Sequence, residues 1–175
     1  MYGNLDFDFW EGSDFRVCDS KTASDVRITV EGTSNWAFLG TQARSVPANK
    51  PTLSLAIKQY REGYAATLRG VVLHEFGHVL APQHIFSHPD FCPLNFAQIS
   101  ADLFWSEELV KHSFGTLESD EVIFYGDLDM ASIMSYKLPP SWFMDGKESR
   151  CFRDEAATTL SPMDKLAMYW AYPED

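Results

Sequence analysis

The chain has 175 residues, 45% of them apolar, with 14 Lys and Arg against 25 Asp and Glu, a net charge of -11 and a pI near 4.8. That length suits one domain burying roughly 70% of its unfolded surface, and the apolar content excludes an intrinsically disordered chain. The acidic balance argues against nucleic acid or an anionic membrane as a partner, and no apolar run approaches the roughly 18 to 20 residues needed to span a bilayer.

Leu5-Asp6-Phe7-Asp8-Phe9 alternates apolar and acidic residues, as a half-buried strand does, and nothing before it has the basic region and apolar core of a secretory signal. Val26 to Val30 alternates again, and Trp36 to Leu39 and Leu53 to Ile57 follow, each bounded by Gly, Pro, Ser or Asn. Four strands are expected. A helix is expected from about Tyr60 to Leu80, ended by Pro82. Val71, Val72, Leu73, Phe76, Val79 and Leu80 surround its polar residues, so it should be buried nearly all round.

This helix carries the first chemical signal. His74, Glu75, His78 and His84 stand in the order His-Glu-x-x-His-x-x-x-x-x-His. At 100° per residue, His74 and His78 lie a turn apart on one face and can grip one ion, whereas Glu75 beside them is placed for a water. A His-Glu-x-x-His match alone is short enough to occur by chance on a solvated helix. In a buried helix, however, two histidines and a glutamate need partners, because an unpaired buried polar group costs on the order of 1 to 3 kcal/mol. A metal ion supplies one.

The second signal is Ser132-Ile133-Met134-Ser135-Tyr136. Ser106 can cap a short helix through about His112, and Ser161 with Pro162 and Asp164 opens a last helix to about Ala171. There is no repeat, low-complexity tract or linker. Cys92 follows the histidine motif and Cys151 follows the second signal, so a Cys92–Cys151 bridge with Cys18 left over is one reading, and three buried reduced thiols is the other.

With the histidine motif and the 132–136 segment in this order, the chain resembles the metzincin clan of zinc endopeptidases, and within it the astacin-like branch of secreted bacterial and fungal type. The resemblance runs from about Asp25 to Pro173 and implies an α+β metzincin-like zincin fold. That fold is a twisted, mostly parallel sheet of about four to five strands, with an active-site helix, a Met-turn and a C-terminal helix. It implies one catalytic domain over 1–175, with an N-terminal sheet subdomain to about residue 84 and a C-terminal subdomain from about 85. It also implies a secreted monomer without its leader, acting on peptides or proteins and having no nucleic-acid or membrane partner.

The implied activity is zinc-dependent peptide hydrolysis through a zinc-bound water, with His74, His78 and His84 as ligands of Zn2+ and Glu75 as general base. Met134 becomes the floor beneath the metal and Tyr136 a mobile fifth ligand that can turn to the oxyanion. Trp36, Ala37, Phe38 and Leu39 become the edge strand for an extended substrate.

Two departures qualify this. Ile85 stands where astacins carry Glu, and Ala81 followed by Pro82 stands where the signature has Gly. Alanine is costly in the left-handed region and a following proline favours extended backbone, so the expectation is a helix ending one or two residues early and a different path to His84. His88 is the substitute ligand should His84 fail, and His112 reads as a surface residue. Among other classes, a zincin with an acidic third ligand is faintly suggested by Gly115-Thr116-x-Glu118 and Tyr125-Gly126. A non-catalytic zinc-binding interaction domain on the same scaffold is the remaining alternative.

Overall fold

The computed structural model describes residues 4–15, 24–60, 64–117 and 126–174. Cys18, Glu118 and Tyr125 lie outside these residues. The chain divides into two compact units, 1–82 with 158–175, and 83–157.

The first unit is built on a three-stranded sheet of β3 (Ile28–Thr29), β4 (Trp36–Ala37) and β5 (Leu53–Ser54), in the order β3-β5-β4. β5 runs parallel to β3, pairing Leu53 with Ile28, and antiparallel to β4, pairing Leu53 with Ala37. The central position of β5 explains its burial: Thr52, Leu53, Ser54, Leu55 and Ala56 are all buried, although only three of them are apolar. Thr52 and Ser54 are tolerated because both bond locally. Thr52 Oγ1 accepts from the Arg27 amide at 2.8 Å, and the Ser54 hydroxyl donates to the Ser34 carbonyl at 2.8 Å. Gly32 is required beside this pair, since a Cβ there would lie 2.3 Å from Ser54 Oγ.

The expected sheet of four to five mostly parallel strands is thus, among the described residues, a smaller mixed one. Alternation in Leu5–Phe9 produced no ladder among the described residues. Phe7 and Phe9 stack on each other at 5.9 Å and both meet Phe76 edge to face, at 5.6 and 6.0 Å. The alternation is satisfied by aromatic packing, and a short antiparallel pair, β1 (Trp10–Glu11) with β2 (Asp14–Phe15), follows it.

Helix α1 (Ala65–Val79) is shorter than the expected 60–80, and Tyr60 instead ends the 3-10 turn Ile57–Gln59. It packs against β4 and the 3-10 turn Gly40–Ser45. Its burial was overestimated from sequence. Its buried residues are Gly70, His74, Glu75 and His78, while the apolar residues around them are only half-buried. The small sheet covers one side of the helix, so apolar flanks do not translate into burial all round. The last helix, α4 (Pro162–Ala171), starts in a capping box: Asp164 N–H donates to Ser161 Oγ at 2.9 Å and Ser161 N–H to Asp164 Oδ2 at 2.8 Å.

The second unit holds α2 (Phe96–Leu103) and α3 (Glu107–Phe114) around a core of Phe86, Ile99, Val110, Leu138, Trp142 and Phe143. Ser106 caps α3 through the Leu109 amide, as its sequence position suggests. α2 was not anticipated, although Asn95 accepts from Gln98 N–H at 3.1 Å in a cap readable as Asn-x-x-Gln. Cys92 and Cys151 form a disulfide across this core.

Candidate metal centre

The buried stripe of α1 is its polar one. Gly70, His74 and His78 follow at i, i+4 and i+8, and the two imidazole rings meet edge to face with centroids 4.8 Å apart. His78 Nδ1 lies 3.0 Å from the Pro82 carbonyl oxygen, to which it donates, so in the neutral ring Nε2 carries the lone pair. Burial is the main force that pushes the His78 pKa down to about 4, the neighbouring His74 adds to it, and the Pro82 bond opposes it. The ring is therefore neutral at pH 7, the form that binds metal.

The chain then turns sharply. Leu80 caps α1 through bonds to Gly77, His78 and Phe76 carbonyls, and Ala81 adopts φ +83°. The left-handed path that the sequence argued against is therefore the one taken, and the helix ends one residue before the expected Leu80. Alanine bears about 1 kcal/mol of strain there. The turn has room because Gly40, at φ +44°, faces it: a Cβ on Gly40 would lie 3.1 Å from the Ala81 Cβ.

His84 follows in extended backbone and opens the 3-10 turn Ile85–Ser87. Its ring stacks on Phe86 at 4.6 Å and meets Tyr136 at a tilt at 4.7 Å. The Ile85 amide donates to the Met134 carbonyl at 3.1 Å, which ties this segment to a tight turn in which Ser132, Ile133, Met134 and Ser135 are all buried. Tyr136 emerges from the turn 43% exposed.

One ligand nitrogen from each of His74, His78 and His84 lies within 4.8 Å of the others. Tetrahedral Zn–N bonds of about 2.0 to 2.1 Å need nitrogens about 3.4 Å apart, and the broad χ2 torsions of imidazoles cover that difference. Three imidazoles with a position left over also match the donor set of a catalytic zinc.

Glu75 is the buried anomaly beside them. It is 2% exposed, and its Oε2 has no hydrogen-bond partner among the described residues. Desolvation alone pushes its pKa up to about 7. A carboxyl with one oxygen buried without a partner fits a site that receives a cation and a water.

His88 is not brought into this group. Its Nδ1 accepts from the Asp90 amide at 3.0 Å, and its Nε2 lies 2.9 Å from the Gly126 carbonyl oxygen, so both ring nitrogens are spent on backbone. His112 is exposed on α3. Trp36, on β4, and Phe38, just after it, are each 37% exposed and meet edge to face at 5.8 Å; β4 has β5 as its one ladder partner among the described residues.

This arrangement can be set beside known structures. The fold is similar to that of myroilysin. A solved structure of that protein gives a TM-score of 0.71 at 27% identity, covering 86% of this chain and 74% of that chain. A crystal structure of myroilysin gives 0.63 at 24% identity, covering 99% of this chain and 72% of that chain. No protein-family model matches the sequence, and no curated protein matches it. Two groups in the neighbourhood escaped the sequence reading: the Pro82 carbonyl that fixes the His78 tautomer, and the Tyr172 hydroxyl that donates to the Leu80 carbonyl at 3.2 Å. Neither has a sequence signature, because the first is a backbone atom and the second comes from 92 residues away.

Proposed function

We propose that this chain is a zinc-dependent endopeptidase of the metzincin type, astacin-like in its Met-turn and secreted in its mature form. The observation that carries the proposal is the convergence of three imidazole nitrogens within 4.8 Å beside a buried carboxylate with an orphaned oxygen. The likeness to myroilysin over 86% of the chain supports it. The disulfide fits secretion, since such bonds persist in oxidising compartments, and no helix among the described residues is long and apolar enough to cross a membrane.

His74, His78 and His84 would hold the zinc, which when bound supplies Lewis acidity toward a peptide carbonyl and acidifies water. Glu75 takes the proton of the attacking water on its orphaned oxygen and returns it to the departing amine. The Tyr136 hydroxyl donates to the oxyanion. Met134, 4% exposed, is the residue that would serve as the apolar floor of the site. The segment Trp36 to Leu39, whose strand β4 has β5 as its one ladder partner among the described residues, aligns an extended peptide by main-chain hydrogen bonds, with Trp36 and Phe38 offering aromatic contact to alternate side chains.

Metal content measured on the purified protein, paired with casein hydrolysis before and after chelation, tests the proposal. Near-stoichiometric zinc and activity lost on chelation and restored by zinc are expected. Activity indifferent to chelation refutes it, and zinc bound without hydrolysis leaves the non-catalytic interaction domain instead.

A further inference from the structure

Tyr172, at the end of α4, reaches back to the turn that follows the two helical histidines. Its hydroxyl donates to the Leu80 carbonyl at 3.2 Å, and that carbonyl belongs to the helix cap, where intrahelical partners have run out. The side chain that makes this bond is itself pinned at both backbone atoms, since Tyr172 N–H donates to Met168 O at 3.0 Å and Tyr172 O accepts from Asn4 N–H at 2.8 Å.

The Leu80–Pro82 turn bears on two histidines at once. Ala81 holds φ +83°, a conformation that alanine leaves readily unless its surroundings hold it. One residue on, the Pro82 carbonyl accepts from His78 Nδ1 at 3.0 Å and fixes that ring's tautomer and aim. Two residues beyond Pro82 the chain presents His84. A shift at Leu80 would therefore unhook His78 and misplace His84 together.

We infer that Tyr172 is a positioning residue for the metal centre, holding the strained Leu80–Ala81 turn so that His78 and His84 are presented to one ion. The inference rests on the proposed zinc site and concerns a residue that touches neither metal nor substrate.

Zinc affinity, read by competition with a fluorescent chelator, tests it in four chains: wild type, Tyr172→Phe, Ala81→Gly and the double variant. Phenylalanine removes only the hydroxyl, and glycine removes the strain the hydroxyl counters. Tyr172→Phe should bind zinc about three- to tenfold more weakly, whereas the double variant should bind within about twofold of Ala81→Gly alone, the non-additivity expected when two changes act on one element. Equal zinc affinity in wild type and Tyr172→Phe overturns the role, as does a loss that glycine at 81 fails to rescue. A Tyr172→Phe chain whose metal-free form no longer melts cooperatively also counts against it, because the contact would then support the unit as a whole. A wild-type chain that takes up no zinc sinks the proposed function itself, a distinguishable failure.

Discussion

Replacing Glu75 with Gln separates the electrostatic cost of the site from its chemistry. In the metal-free protein the Glu75 carboxyl, 2% exposed, has its pKa raised from 4.5 to about 7 by desolvation. Below pH 4.5 both folded and unfolded chains hold the proton and the group is neutral to stability. Between 4.5 and 7 the unfolded chain releases a proton that the folded chain retains, so stability falls as pH rises, and above 7 the loss is complete. At about 1.36 kcal/mol per pH unit the loss amounts to about 3 kcal/mol, a large share of a typical folding free energy.

Gln has nearly the same shape and no charge. Urea unfolding of chelator-treated wild type and Glu75→Gln should therefore diverge with pH, the variant gaining about 2 to 3 kcal/mol relative to wild type between pH 5 and pH 8. The slope is the readout, because any penalty for burying the amide is the same at every pH. The same variant should keep its zinc and lose at least about 100-fold in turnover, as removal of a general base does. Parallel stability curves would refute the desolvation argument, and wild-type turnover in a folded variant would remove Glu75 from the chemistry.

Other expectations follow from the same geometry. His84→Ala should abolish tight zinc binding while His88→Ala leaves it unchanged, by chelator competition, because both ring nitrogens of His88 are bonded to backbone. Tyr136→Phe should lower kcat with metal content intact, and a change confined to KM would exclude the oxyanion role. His78 carries a pKa lowered from 6.5 to about 4, so below pH 6.5 the unfolded chain binds a proton that the folded one refuses; metal-free stability should fall from pH 6.5 toward 4, and a His78→Gln variant should lack that component in pH-dependent melting. Cys151→Ser opens a bridge joining residues 59 apart and should cost about 4 kcal/mol by loop entropy, measured in denaturant.

What the sequence revealed was governed by rules acting over three or four residues. His74 and His78 had to share a face of any helix that contained them, and Ser161 with Asp164 and Ser106 had to favour helix starts, because a cap needs a side-chain oxygen and an amide two or three positions on. The Asn95 cap of α2 obeys the same rule. Alternation misled where nothing local could correct it: Leu5–Phe9 has a strand's pattern, but a ladder also needs a partner edge, and Phe7 and Phe9 found the Phe76 ring instead.

Tertiary structure decided the rest. The sheet among the described residues became mixed because β4 turned back antiparallel onto β5. Ala81 took the left-handed turn against its own preference because the capping bonds at Leu80, the space above Gly40 and the Tyr172 hydroxyl hold it there. The orphaning of Glu75 likewise depends on what surrounds α1 rather than on what neighbours Glu75 in the chain. The sequence alone determined which donors exist and how they are spaced. Only the fold set the dielectric around them and the path between the second and third imidazole, since desolvation and backbone strain depend on packing by residues far away in sequence.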